Sequence, residues 1–164
     1  MVNVQVRSAR LQDAKKIASF VNKARPGADF IDRLRVAERF SDVGFLLAEQ
    51  QEQLVGILGW QVENLVVRVT DFLVAPAVDR VVAGRALISE MEEAAKSLQG
   101  EAAILFLPEN PSQELVEFWE LFDYQRRKVV NLNRYWREAV REWSNSTSEV
   151  MIKQLREGLV SRPI

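Results

Sequence analysis

Thr70-Asp-Phe-Leu-Val-Ala-Pro-Ala-Val-Asp-Arg-Val-Val-Ala-Gly-Arg-Ala-Leu-Ile88 is the stretch that decides the fold. It reads as a strand, a proline stop, a tight turn holding Gly84, and a helix. Pro76 cannot donate to a ladder and ends the strand. Asp79 is placed to cap the helix that follows. A strand that runs into a helix N-terminus gathers unpaired backbone N–H groups and the positive end of a helix dipole at one point. Phosphate or pyrophosphate binds at such a point.

Working outward, Gly44–Glu49 and Leu54–Trp60 are strand-like, and the polar link Gln50-Gln-Glu-Gln53 makes them an antiparallel hairpin. A third antiparallel strand follows, from about Leu65 to Val74. Upstream, Val2, Val4 and Val6 lie on one face of a short first strand. Ala14, Ile17, Ala18, Val21 and Ala24 keep helical spacing and predict a helix from about Leu11 to Ala24. Pro26-Gly27 breaks it. A second helix is predicted over Ala28 to Phe40, with Phe30, Ile31, Leu34 and Val36 available to pack. Downstream, the helix capped by Asp79 reaches about Leu98, buries Leu87, Met91, Ala94, Ala95 and Leu98, and is closed by Gly100. The apolar run Ala102–Leu107 has the signature of a strand buried on both faces. Ser112 starts a helix over Gln113 to Phe122, and Tyr124 to Val130 reads as a strand. The order is that of an α/β fold with a mixed sheet. Beyond it, Leu132 to Trp143 looks helical, and Ser144–Ser148 is a polar break. A second amphipathic helix, about Glu149 to Gly158, carries Met151, Ile152 and Leu155. The chain therefore divides into a domain over residues 1–130 and a helical extension over 131–164, packed on the domain or on a partner subunit.

The 164 residues suit one domain with a sizeable core, and 48% hydrophobic with 27% charged residues is ordinary soluble composition. A net charge of −1 gives no footing for general nucleic-acid or membrane-surface binding. Neither cysteine nor histidine occurs. That excludes disulfides, a cysteine nucleophile, a serine–histidine triad, a histidine base and the thiolate or imidazole metal sites. The N-terminus lacks the basic start and apolar run of a secretion signal, and no apolar run approaches the ~20 residues of a membrane-spanning helix. The expectation is a cytoplasmic protein.

The Thr70–Ile88 stretch resembles the acetyl-CoA-binding segment of the GNAT superfamily of N-acetyltransferases. There a strand ending in Val-x-Pro is followed by Arg/Gln-x-x-Gly-x-Gly/Ala and a helix. In the best register Asp79 stands where the family has Arg or Gln, Val82 replaces the first glycine, and Gly84 keeps the second. The order of elements over residues 1–130 is also the family's. The resemblance implies a GNAT-like acyl-CoA N-acyltransferase fold, with a mixed, mostly antiparallel sheet flanked by helices. It implies acetyl-CoA as cosubstrate and no metal. The pantetheine arm would pair with the backbone of Leu73 and Val74. The pyrophosphate would meet the turn that includes Val82, Ala83, Gly84 and Ala86, with Arg80 and Arg85 pairing to phosphates. Val82 is β-branched where glycine serves close approach or positive φ.

Two further segments bear on chemistry. Phe118-Trp-Glu-Leu-Phe-Asp-Tyr124 resembles the family's Phe-Tyr-x-x-x-Gly-Phe, with Trp119 at the tyrosine that, in many members, protonates the departing thiolate. An indole N–H does not release its proton to a thiolate, so Trp119 is read as lining the cofactor channel, and protonation falls to water or Tyr124. Asp71 stands three residues before the valine of Val-x-Pro, where many members place the carboxylate that draws a proton from the acceptor amine. It either faces the substrate cleft or caps nearby backbone. Glu49 and Glu63 have a weaker claim, and Asp13 and Asp32 read as surface or cap residues. Arg33, Arg35 and Arg39, and Arg126-Arg-Lys128, are either anion sites or solvated faces. Tyr135, Trp136 and Trp143 are too aromatic for an exposed tail, which predicts packing on the sheet or on a second copy as a homodimer. Two functions remain open: an acyl-CoA-dependent N-acetyltransferase acting on a primary amine by direct attack, or a catalytically impaired GNAT-fold module that binds acyl-CoA or another protein.

Overall fold

A computed structural model describes residues 3–157. Val2, assigned above to the first strand, and Gly158, assigned to the end of the tail, lie outside the described residues. The chain forms two compact units. One comprises the residues up to Gln61 together with Thr70–Met91, and the other Val62–Val69 together with the residues from Glu92 onward.

The first unit holds β1 (Gln5–Ser8), α1 (Ala14–Ala24), α2 (Arg33–Arg39), β2 (Gly44–Gln50) and most of β3 (Gln53–Glu63). It also holds the second half of β4 (Val66–Val74) and the first turns of α3 (Arg80–Ser97). Its strand order is β1-β2-β3-β4. The β2–β3 hairpin turns on Gln51 and Glu52, both with positive φ, which is the mirror-type turn whose twist suits antiparallel strands. One face of α1 puts Ala14, Ile17 and Ala18 against Leu47 and Ile57 of the sheet and Val36 of α2. The second helix is shorter than its expected span of Ala28 to Phe40. It begins only at Arg33, because the Asn22 side chain bonds both the N–H and the C=O of Ile31 (2.8 and 2.7 Å) and Asp32 caps the new start through the Arg35 N–H at 2.9 Å. Val36 packs as expected, but Phe30 and Leu34 are exposed.

In the second unit, β4 pairs in parallel with β5 (Ala102–Phe106), from Val66–Ala102 to Val69–Leu105. The order there is β4-β5-β7-β6, with β6 at Gln125–Lys128 and β7 at Glu149–Gln154. Helices α4 (Gln113–Glu120) and α5 (Arg134–Trp143) are capped by Ser112 and Asn133. The seven strands make the mixed sheet with flanking helices expected of an α/β fold.

The tail corrects one expectation. Residues 149–154 are not helical: they form β7, antiparallel to both β5 and β6. Val150, Met151 and Ile152 are consecutive and buried, which a one-sided helix does not allow and a strand between two neighbours does. The aromatic surplus is also used within this unit. Trp136 and Trp143 pack on a cluster that includes Val66, Ile104, Val140 and Ile152, and the Trp136 indole donates to Glu101 at 3.1 Å. Tyr135 stays 41% exposed. The packing of those two rings therefore does not require a second subunit.

At the end of α3, Gln99 takes the left-handed conformation (φ 65°) and the Gly100 N–H closes on the Ala95 carbonyl at 2.8 Å. A Cβ on Gly100 would come within 2.9 Å of that same oxygen, so glycine is needed for close approach. Among the described residues, no helix is long and apolar enough to cross a membrane.

Candidate active site

The first unit contains a cavity of about 870 Å³ lined by α1, α2, the segment between them, and the strands β2, β3 and β4. Ile17, Val36, Phe45 and Ile57 give it an apolar floor, each of them buried. Arg25, Asp29, Arg35, Glu38 and Arg39 supply charge, and Thr70 to Leu73 bring β4 into the lining. Asp71 is therefore part of the lining of this cavity. Its Oδ1 accepts from Arg39 Nη1 at 2.6 Å and its Oδ2 from the Thr70 hydroxyl at 2.7 Å. The carboxylate is one-quarter exposed and the guanidinium just under half. Arg39 also stands 5.7 Å from the centre of the Phe45 ring. Opposite, β3 presents Gly59. A Cβ there would fall 2.5 Å from Asp71 Oδ2 and 2.8 Å from Thr70 Oγ1, so the absent side chain leaves room for the Asp71 carboxylate.

The strand that carries Asp71 leads to two sets of backbone donors. The Ala75 N–H goes to the Val55 carbonyl on β3 at 2.8 Å. Because successive residues of a strand point their hydrogen-bonding groups to opposite edges, the Val74 N–H is directed to the other edge. The parallel ladder on that edge ends at Val69, whereas β4 runs on to Val74. Beyond Pro76, α3 begins at Arg80. Asp79 caps it as expected: its Oδ1 accepts from the N–H groups of Val81 (2.9 Å) and Val82 (3.2 Å). Val82 lies within the regular helix, so its β-branch meets no left-handed backbone, and its side chain is half exposed. Ala83 and Gly84 are buried in the same turn, while Arg80 and Arg85 are exposed. Two of the helix donors that suit an anion are thus already held by a carboxylate of the chain itself.

Trp119 and Tyr124 belong to the second unit, and each is 1% exposed. Trp119 packs edge-on against Phe118 and Tyr124 and presents no surface to a channel. The Tyr124 hydroxyl donates to Glu92 at 2.8 Å, and Glu92 also accepts from Lys153 at 3.0 Å. Burial, reinforced by the Glu92 charge, pushes the phenol well above its ordinary pKa. That moves it away from the ordinary thiol range, near 8.5, so its proton is poorly placed for release to a thiolate. The acid role expected of Tyr124 and the channel role expected of Trp119 both give way to core packing.

The remaining acids and bases are accounted for locally. Asp13 accepts both guanidinium nitrogens of Arg7 at 2.9 Å and the Arg10 N–H at 2.8 Å. The Arg7 hydrogen bonds hold its pKa down to about 2. Glu49 pairs with Lys16 and Arg7, which lower its pKa in that order. Glu63 lies at the end of β3 and does not line the cavity. Arg126 pairs with Glu149 through two contacts of 2.8 Å, which makes it a cross-strand partner rather than an anion site. Of the other arginine cluster, Arg35 and Arg39 line the cavity and Arg33 does not. The Arg39–Asp71 pair and the place of Arg25 in the lining were not legible in the sequence. The signal available was only that Arg35 and Arg39 share a helix face. Among the described residues, no cluster of three carboxylates suits a metal ion.

Comparison with known proteins accords with this layout. A model of the acetyltransferase (GNAT) family matches residues 11–124. No curated protein sequence matches the chain significantly. Among solved structures, a GNAT-family acetyltransferase from Staphylococcus aureus superposes with a TM-score of 0.72 at 13% identity, covering 94% of this chain and 100% of that one. The PaiA N-acetyltransferase of Thermoplasma acidophilum, in complex with coenzyme A, gives 0.66 at 12% identity over 93% of this chain and 99% of that one. The putative acetyltransferase YncA of Salmonella typhimurium, with acetyl-CoA, gives 0.67 at 14% identity over 98% and 99%. At these identities the likeness is one of fold.

Proposed function

The chain belongs to the acetyltransferase (GNAT) family, and from that premise we propose that it transfers an acetyl group from acetyl-CoA to an amine held beside Asp71. The observation that carries this reading is the cavity of about 870 Å³ whose lining includes Asp71, on the strand that runs straight on to Leu73, Val74 and the start of α3. Its volume suits a small ligand. The solved relatives that hold coenzyme A or acetyl-CoA support the choice of donor.

An acceptor enters as an ammonium and must lose a proton to become a nucleophile. Asp71 takes that proton, directly or through one water. The free amine forms the new C–N bond as the thioester C–S bond breaks. The Val74 N–H, turned to the unladdered edge of β4, is the donor that would meet the developing oxyanion. The nitrogen sheds its second proton to water as the amide forms, and the departing thiolate takes a proton from water, since Tyr124 is committed to Glu92. Direct transfer depends mainly on proximity and orientation, so it survives the lack of a dedicated acid. The backbone of Leu73 and Val74 would hold the pantetheine arm. The N–H groups at the start of α3, with Arg80 and Arg85 nearby, would hold the pyrophosphate once Asp79 turns away.

A second reading, a GNAT-fold binding module, is favoured by that Asp79 contact, which sets a carboxylate where the pyrophosphate needs donors. Thermal melting with acetyl-CoA, followed by CoA release with a panel of primary amines, separates the two. Stabilisation with amine-dependent release supports the transferase. Stabilisation without release supports the module. No stabilisation at saturating acetyl-CoA contradicts both.

A further inference from the structure

The charges that line the cavity balance: Arg25, Arg35 and Arg39 against Asp29, Glu38 and Asp71. Only one pair among them is closed, Arg39 to Asp71 at 2.6 Å. Arg35 lies one helical turn before Arg39 on α2, and its guanidinium makes no ion pair or hydrogen bond among the described residues. The floor is apolar. From this arrangement we infer that the acceptor is a zwitterionic α-amino acid with an apolar side chain. Its ammonium takes Asp71, its carboxylate takes Arg39 and Arg35, and its side chain lies on the floor. The inference rests on the transferase reading for the word acceptor alone, because the binding it describes needs no acetyl-CoA.

A ligand that reaches Asp71 must open the Arg39–Asp71 pair. A purely cationic amine then leaves a guanidinium uncompensated, and a purely anionic ligand leaves the carboxylate so. An α-amino acid carries both charges on adjacent groups and replaces one ion pair with two. Guanidinium–carboxylate contacts are planar and often bidentate, which favours a carboxylate over a neutral amide in that position. Polyamines and aminoglycosides gain no net field from a lining with as many arginines as carboxylates. A lysine side chain or a peptide N-terminus brings an amine without the neighbouring carboxylate. The apolar floor rewards a branched or aromatic side chain and penalises a polar one left without partners.

The test is isothermal titration of the full chain, without acetyl-CoA, using L-leucine, L-methionine and L-phenylalanine. The comparison ligands are L-leucinamide, isopentylamine, spermidine and kanamycin. At least one of the three amino acids should bind, and its amide should bind about tenfold or more weakly, as expected for loss of a charge-assisted pair. Arg39→Met should weaken the amino acid by a similar factor and leave isopentylamine unchanged or tighter. Equal affinity for L-leucine and L-leucinamide would overturn the inference, as would binding of spermidine or kanamycin in preference to all three amino acids. Failure of all three to bind would do the same, and these outcomes do not depend on how the variant folds. Acetyl-CoA is titrated separately. Amino-acid binding without acetyl-CoA binding sinks the transferase reading and leaves this one standing, and the reverse result does the opposite.

Discussion

Replacing Asp79 by asparagine should tighten acetyl-CoA binding. The Asp79 carboxylate sits 2.9 and 3.2 Å from the N–H nitrogens of Val81 and Val82, the distances at which a phosphate oxygen would sit. Pyrophosphate must therefore evict the side chain, at a cost of about 1 kcal/mol for a lost N-cap. The evicted carboxylate stays on the same short turn, roughly 7 Å from a group with two negative charges. At an effective dielectric constant of about 50–80 the repulsion is about 1–2 kcal/mol. Asparagine caps nearly as well as aspartate and must be evicted too, so Asp79→Asn removes the charge and little else. The expected gain is about 5- to 30-fold in affinity. Isothermal titration with acetyl-CoA reads it directly. The advantage of the variant should shrink at high salt, because the Debye length falls from about 8 Å at physiological ionic strength to about 3 Å at 1 M. Equal or weaker binding by Asp79→Asn at low salt would mean that the pyrophosphate does not use the start of α3.

Other predictions address the remaining assignments. Gly59→Ala, whose Cβ would lie 2.5 Å from Asp71 Oδ2, should displace that carboxylate and slow amine-dependent turnover by roughly 10–100-fold. Gly27→Ala, with nothing within 4 Å, is the control, and equal rates for the two variants would show that Asp71 need not sit where it does. Tyr124→Phe should cost about 1–3 kcal/mol in urea unfolding through loss of the buried bond to Glu92, and should leave turnover intact; a rate loss without a stability loss would restore Tyr124 to the chemistry. The Asp13 carboxyl, held at about 2 in the folded chain against an unfolded value of 3.8, contributes stability that is fully present above the unfolded value and lost as pH falls through about 2. Asp13→Asn should then be less stable by on the order of 1 kcal/mol at neutral pH, once the exposure of Arg7 is allowed for, and the gap should close in acid denaturation; a gap unchanged at low pH would contradict this origin.

The parts of the fold legible in the sequence were those governed by local rules. Asp79 and Ser112 cap the helices they were expected to start, because a cap needs only the right side chain at the first turn, whereas Asp32 caps a helix that was expected to begin at Ala28. Pro76 and the apolar run at residues 102–106 located the central strands for similar reasons. The tail was misread because Met151, Ile152 and Leu155 also satisfy helical spacing, and a run as short as Val150–Ile152 has too few residues for periodicity to decide. Its place between β5 and β6 is set by partners far away in sequence. The same distance hid the chemistry of the site. Arg39 and Asp71 are separated by 32 positions, so each looked like a surface charge or a lone candidate until the fold joined them. Tyr124 failed in the opposite way: it stood in as the acid because Trp119 fills the motif's tyrosine position, and its commitment to Glu92, also 32 positions away, removed the proton from use.

The most direct measurement is the rate of CoA release from acetyl-CoA, with and without an amine acceptor, for the natural chain and for Asp71→Asn. Release should require the amine and be slowed on the order of 10²-fold or more in the variant, as for loss of a general base, with acetyl-CoA affinity little changed. Release independent of the amine, no release at all from the natural chain, or equal rates for the two proteins would contradict acetyl transfer assisted by Asp71.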